Sequence, residues 1–171
     1  MRSRILERLD KHVKQIYVLC MQLTLYTDYS LRVLIYLGEY PDRLVTIGEI
    51  ARFYNISRNH LVKVVHNVGK IGYIHTSRGR SGGLQLAMPP EDIVIGQLVR
   101  HTEPHLDLLE CFDMANNTCP VATACTLKGA LYQARKAFMD VLDSYTLADV
   151  LGNKDPAWIP LTLQKSGKTP V

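Results

Sequence analysis

The sequence contains no long hydrophobic run. None of its apolar stretches approaches the ~20 residues that a membrane-spanning helix requires, which excludes an integral membrane protein. The first 20 residues interleave charged and apolar side chains without a small-residue cleavage site, which excludes a secretory signal. We therefore expect a cytoplasmic protein with no membrane partner.

Cysteine is scarce, with four in 171 residues. In a reducing compartment this argues against a disulfide scaffold and leaves metal binding, redox chemistry or packing. Cys111, Cys119 and Cys125 follow the pattern C-x7-C-x5-C within a polar stretch. Three thiols on an irregular loop suit a soft metal or an iron–sulfur cluster, whereas structural zinc more often has four ligands in closer pairs. Cys20 lies far from this group, and we assign it no role.

Acidic residues are almost missing from the middle of the chain. Between positions 46 and 87, Glu49 is the only acid against six basic residues, which gives a charge of +5. Residues 88–171 instead carry a charge of −3. A basic segment followed by an acidic remainder is typical of a nucleic-acid-binding module joined to a separate sensor or partner region.

Residues 46–70 have the pattern of a helix-turn-helix. Thr46 and Glu49 fit a capping box that starts a short helix, and a tight turn at Asn55 leads to a second helix after Ser57. The inner face of this second helix is apolar: Leu61, Val64, Val65 and Val68. Its outer face is basic and rich in amides: Arg58, Asn59, His60, Lys63, His66, Asn67 and Lys70. Such a helix is typical of DNA recognition, although a solvated basic face is the alternative.

A glycine-rich hairpin follows the second helix. Two short strand-like runs, 73–76 and 84–87, flank a loop that contains Arg78 and Arg80. The glycines permit a positive φ and a close backbone approach, and the arginines can reach phosphates or a minor groove. A nucleotide-binding glycine loop would open a helix instead, so we interpret the hairpin as a wing.

The periodicity divides the chain into five parts. They are an N-terminal extension (1–20) before a second candidate start at Met21, a winged helix-turn-helix (21–104), a cysteine loop (105–125), a dimerisation helix region (120–151) and a flexible tail (152–171). We expect Thr27 to cap the first helix, and Pro120 to begin a long helix that reaches about Tyr145. An apolar stripe on this long helix needs a partner surface, which favours a dimer over an intramolecular core. The predicted fold is mainly α with a small β-wing and a long C-terminal dimerisation helix.

Several motifs resemble the nitric-oxide-sensing branch of the IscR-like family of winged-helix repressors. They are the stretch from Met21 to Tyr36, the run Ser57–Lys63, the wing Arg78–Gly83, the pairs Ile95–Gly96, Val99–Arg100 and Glu103–Pro104, and the segment Tyr145–Asp149. The resemblance spans about residues 21–151 and includes all three loop cysteines. It implies a homodimeric repressor that binds a palindromic operator in double-stranded DNA. Nitrosylation of an iron–sulfur cluster would release it from operators of nitric-oxide detoxification genes.

The same resemblance implies a set of functional residues. Cys111, Cys119 and Cys125 would hold a [4Fe-4S] or [2Fe-2S] cluster, and Asp28 matches a carboxylate ligand that the other subunit can supply in this family. Taken alone, Asp28 is an acid in the first turn of a helix, where the dipole favours it without any metal. The residues expected to contact DNA are Ser57, Arg58, Asn59, His60, Lys63, Arg78 and Arg80.

Four other functions compete with this interpretation. A regulator of the same family could respond to iron or redox state, or could use thiols or zinc without a cluster. An electron-transfer protein would leave the winged helix unexplained. A cysteine enzyme lacks an ordered arrangement of nucleophile and base, so we expect no catalysis.

Overall fold

The computed structural model describes residues 22–79 and 81–152. In this part of the chain the helices are α1 (Leu25–Glu39), α2 (Ile47–Tyr54), α3 (Arg58–Lys70), α4 (Ile95–Thr102), α5 (Thr126–Asp143) and α6 (Leu147–Gly152). The strands are β1 (Ile74–Ser77) and β2 (Gly83–Leu86), and single 3-10 turns occupy Pro90–Asp92 and Glu110–Phe112. The predicted fold class is therefore confirmed. The predicted extension, Cys20, Arg80 and residues 153–171 of the predicted tail lie outside the described residues.

The first helix begins earlier than predicted. The prediction that Thr27 caps it is wrong, because Thr24 is the N-cap and its hydroxyl accepts the backbone N–H of Thr27 at 3.3 Å. Thr27 is fully buried, and its hydroxyl donates to Thr102 at 2.9 Å. The helix ends at Glu39, before Pro41, as the proline requires.

The helix-turn-helix forms as its sequence predicts. The hydroxyl of Thr46 accepts the N–H of Glu49 at 3.2 Å, and α2 ends at Asn55, whose φ of 53° lies in the left-handed region. Ser57 is the N-cap residue of α3, without a capping hydrogen bond from its side chain. The four predicted inner-face residues of α3 are all buried. They join a core with residues from α1, α4 and α6.

The wing is a two-stranded antiparallel hairpin that pairs Ile74 with Leu86 and Ser77 with Gly83. A bridge between Val45 and Leu84 fixes it to the segment before α2. Gly79 has a φ of +110° at the tip, and a Cβ on Gly82 would collide with the carbonyl oxygen of Ser77. These two glycines therefore permit a tight tip that other residues would strain.

The long helix starts later than predicted. Residues 120–125 are not helical, and α5 begins at Thr126 with Cys125 as its N-cap residue. Isolated turns precede the helix. In these turns the N–H of Ala122 donates to the carbonyl of Cys119, and the N–H of Ala124 donates to the carbonyl of Val121. The β-branched residues Val121 and Thr123 also weaken helical propensity there.

The far end of α5 is fixed to the start of α4. The N–H of Ile95 donates to the carbonyl of Tyr145 at 2.9 Å, and the N–H of Leu147 donates to that of Ile93 at 2.8 Å. Arg100 makes a bidentate ion pair with Asp143, with both distances 2.6 Å. Of the helices described, none is sufficiently long and apolar to span a membrane.

Candidate functional site

The recognition helix α3 has two distinct exposed faces. We call one of them the groove face, and its members recur one helical turn apart: Arg58, Asn59, Val62, Lys63 and His66. The other face is turned toward α1 and carries His60 and Asn67. Here the His60 ring stacks beside the ring of Tyr29, with 23° between the ring planes and 6.4 Å between the centroids. Burial raises the pKa of Tyr26, and a hydrogen bond to Asn67 acts in the opposite direction.

This geometry separates the residues that were predicted to contact DNA. Ser57, Arg58, Asn59 and Lys63 are all exposed at the start of α3 or on its groove face. Arg78 is exposed at the tip of the wing. His60 is also exposed, but its ring contacts Tyr29 of α1, which connects the recognition helix to the first helix.

Asp28 lies in the first turn of α1 with a partly exposed carboxylate. Arg32, one turn later, holds it through a 2.9 Å bond from Nε and a second 2.9 Å contact from its other nitrogen. The guanidinium of Arg32 also lies 5.7 Å from the centre of the Tyr54 ring. Exposed ion pairs at this spacing contribute ~0.3–0.5 kcal/mol, so Asp28 can exchange this partner for a stronger one.

The three loop cysteines are free thiols. Cys111 is buried in the 3-10 turn, whereas Cys119 and Cys125 are half-buried. Within residues 22–79 and 81–152, no three His, Cys, Asp or Glu side chains are grouped to hold a metal. The structure therefore places the three thiols on one loop without bringing them together around a centre. Their chemistry still fits an iron–sulfur cluster, because free thiols are the donors that such clusters take.

Local polar contacts stabilise the cysteine loop. The carboxylate of Asp113 accepts the N–H of Ala115 at 3.0 Å and the amide of Asn116 at 2.7 Å. These bonds, led by that from Asn116, lower the pKa of Asp113. The side chain of Asn117 likewise accepts the N–H of Cys119 at 3.0 Å. These short-range bonds shape residues 113–119 of the loop.

The segment just before the cysteine loop, which we call the root of the loop, is hydrogen-bonded to the start of α1. Glu103, at the C-terminal end of α4, accepts the backbone N–H of Thr24 at 2.8 Å and its hydroxyl at 3.1 Å. The bond from Thr27 to Thr102 lies beside it. Sequence reasoning missed Glu103, because its partner is 79 residues away and no local pattern indicates the pairing.

A second polar contact joins α1 to α2. The Tyr36 hydroxyl donates to Glu49 at 3.0 Å, and Arg43 makes a bidentate contact with the same carboxylate. Burial, followed by the bond to Glu49, raises the pKa of Tyr36 to about 12. The hydrogen bond from Arg43 is the main reason that the pKa of Glu49 is lowered.

The long helix α5 presents an exposed apolar face. Met139 is buried, and Arg135 contacts Asp107 at 3.1 Å and the ring of Phe112, so this side of the helix is turned inward. Most of the predicted stripe is exposed in the single chain, including Leu127, Phe138 and Val141. Leu131 and Leu142 are half-buried.

Together, the turn at Asn55, the exposed basic helix and the wing define a winged helix-turn-helix regulator. Residues 23–153 match the model of the Rrf2 family, which is described as an iron-dependent transcriptional regulator. The chain belongs to this family. The predicted family is therefore confirmed, as is the prediction of a transcriptional regulator rather than an enzyme.

Individual relatives agree with this assignment. The chain is 52% identical over 136 residues to the HTH-type transcriptional regulator NsrR of Halalkalibacterium halodurans, which covers 79% of this chain and 93% of the relative. It is also 52% identical over 136 residues to NsrR of Bacillus subtilis, over 79% of this chain and 93% of that protein. The solved structure of T. potens IscR has a TM-score of 0.65 at 23% identity, over 84% of this chain and 95% of the other, and shows the same fold.

Proposed function

We propose that this protein is a cytoplasmic transcriptional repressor that senses nitric oxide through an iron–sulfur cluster and controls nitric-oxide detoxification genes. The observation that carries the proposal is the bond between Glu103 and Thr24. It connects the root of a loop with three free thiols to the helix that packs against the recognition helix. The similarity to proteins named NsrR supports the choice of signal.

The DNA-binding surface suits a palindromic operator. A homodimer would place two α3 helices in successive major grooves, ~34–36 Å apart. Arg58 is suited to guanine and Asn59 to adenine, while Ser57 and Lys63 can bind phosphates. Arg78 and Arg80 would add contacts from the wing. The exposed apolar face of α5 supports the homodimer, because burying it requires a partner surface.

Three cysteines and one carboxylate would hold the cluster. Cys111, Cys119 and Cys125 supply thiolates from one subunit, and Asp28 supplies an oxygen from the other. When bound, a [4Fe-4S] or [2Fe-2S] cluster supplies iron that reacts with nitric oxide. To bind the cluster, Asp28 would have to give up its ion pair with Arg32. Because this ion pair is partly exposed, breaking it costs little free energy.

Contacts along α1 connect the loop to DNA binding. While the thiolates hold loop 105–125, Glu103 and Thr102 fix the position of Thr24 and Thr27. Two residues after Thr27, the Tyr29 ring lies beside His60 of the recognition helix. A released loop would therefore shift α1 and with it the spacing of the two recognition helices. A coupling of ~1–3 kcal/mol changes operator occupancy by one or two orders of magnitude.

Anaerobic purification followed by iron and sulfide analysis tests the sensor. We expect a coloured protein with matched iron and sulfide, whose visible absorbance collapses on titration with nitric oxide. A protein that remains colourless after reconstitution would contradict the cluster. The family description favours one second candidate, a regulator that responds to iron. Operator release by an iron chelator, but not by nitric oxide, would identify that alternative.

A further inference from the structure

Val62 is an apolar side chain exposed on a polar helix face. Within α3, every residue of which is described, the four other large apolar side chains are buried, whereas Val62 is 45% exposed. Valine is also a poor helix former, since its β-branch loses rotamer freedom. A lone exposed apolar side chain is common on protein surfaces, so its position on the helix decides its meaning.

That position is on the groove face near the start of the helix. Val62 lies one turn after Arg58 and Asn59 and one turn before His66. In helix-turn-helix proteins the N-terminal part of the recognition helix contacts base edges. Unlike His60, which contacts Tyr29, Val62 is therefore placed where a bound major groove would cover it.

We propose that Val62 reads the methyl group of a thymine in each half-site of the operator. Thymine is the only base that presents a methyl group in the major groove, and apolar side chains recognise it by direct contact. Contact between the thymine methyl group and the side chain of Val62 would remove both from water, which would strengthen binding about three- to fivefold per half-site. This inference rests on the proposed operator binding and adds a base preference to it.

Replacement of thymine by uracil tests the contact, because only the methyl group is removed. The cluster-loaded protein would first select its operator from random duplexes. Each dT of the selected half-site would then be replaced by dU. At one position per half-site, dU is expected to weaken wild-type binding about three- to fivefold, and roughly tenfold or more when both half-sites are changed. Val62→Ala is expected to bind the dT and dU duplexes equally.

Ile71→Ala is the matched control. Ile71 is 40% exposed at the C-terminal end of the same helix and lies off the groove face. This variant should discriminate dT from dU as the wild type does. Circular dichroism and visible absorbance would verify that both variants retain their fold and cluster.

Three outcomes would overturn the inference. Wild-type binding that ignores dU at every thymine would do so, as would a Val62→Ala variant that discriminates as well as the wild type. In either case the proposed repressor function would stand, because an operator had been selected. A loaded wild-type protein that selects no sequence would instead overturn both the operator binding and the role of Val62.

Discussion

Glu103 holds Thr24 through two hydrogen bonds, 2.8 Å from the backbone N–H and 3.1 Å from the hydroxyl. Both donors belong to the cap of α1, so one carboxylate fixes where the first helix begins. Because Glu103 also precedes the cysteine loop, we expect a movement of that loop to reach α1 through this carboxylate. This relationship gives the proposed sensor a physical route to DNA.

Replacing Glu103 should weaken the connection between loop and helix. Glu103→Ala removes the acceptor of both Thr24 donors, and we expect a loss of about 1–2 kcal/mol in the free energy of unfolding. The difference in operator affinity between loaded and nitric-oxide-treated protein should also shrink. Denaturant unfolding and gel-shift titrations measure the two effects. Glu103→Gln, which keeps an acceptor oxygen, should behave closer to the wild type. If nitric oxide changes the operator affinity of Glu103→Ala as much as that of the wild type, the connection through Glu103 is wrong.

Removal of Asp28 should change the cluster rather than the fold. Asp28→Ala deletes the proposed fourth ligand, so the visible spectrum and the rate of reaction with nitric oxide should both change. Arg32→Ala is the matched control, because it breaks the same ion pair but keeps the carboxylate. If Asp28→Ala has a wild-type spectrum and response, ligation by Asp28 is wrong.

Lys63→Ala should weaken operator binding and spare the cluster. Loss of one phosphate contact lowers the slope of log affinity against log salt by about one for each site. Lys136→Ala removes an equal charge from the exposed surface of α5 and should leave the slope unchanged. Gel-shift titrations at several salt concentrations would show the difference. A wild-type slope in Lys63→Ala would refute the assignment of the groove face.

A charge on the exposed stripe of α5 should prevent dimer formation. Val141→Glu places a carboxylate within the apolar face that we assign to the partner subunit. Gly129→Glu introduces the same charge on the side of α5 opposite the stripe, where an added Cβ meets no neighbouring atom within 4 Å. Sedimentation velocity is expected to show a monomer for Val141→Glu and a dimer for Gly129→Glu. A dimeric Val141→Glu protein would contradict this interface.

The contact of Glu49 with Arg43 and Tyr36 should make stability depend on pH. The pKa of Glu49 is lowered in the folded chain, chiefly by the hydrogen bond from Arg43. Its stabilisation is therefore fully present above the unfolded pKa and is lost as pH falls through the folded value. Urea midpoints of the wild type and Glu49→Gln should differ at pH 7 and converge in acid. A gap that stays constant down to pH 3 would be inconsistent with this contact.

The helix-turn-helix could be predicted because its signals are local. The cap at Thr46, the left-handed turn at Asn55 and the apolar spacing of α3 each lie within a few residues. The glycines of the wing act over a similarly short range. Periodicity also indicated that α5 carries an apolar stripe, and the single chain leaves most of that stripe exposed.

The features that the sequence did not predict depend on contacts between segments that lie far apart in the chain or on the shape of the cysteine loop. Thr24 displaces Thr27 as the cap of α1 because Glu103, far along the chain, accepts its donors. Sequence periodicity predicted that His60 would be exposed, but it could not show that Tyr29 lies beside it. The onset of α5 at Thr126 likewise follows from turns within the cysteine loop, whose shape the spacing of the cysteines does not specify.

Simultaneous measurement of cluster absorbance and operator binding would show whether the cluster controls DNA release. Cluster-loaded protein on its selected operator would be titrated anaerobically with nitric oxide while absorbance and DNA anisotropy are recorded together. We predict that DNA release follows the loss of cluster absorbance, and that Glu103→Ala weakens this correlation. A protein that loses its cluster absorbance but remains bound to the operator with unchanged affinity would contradict it.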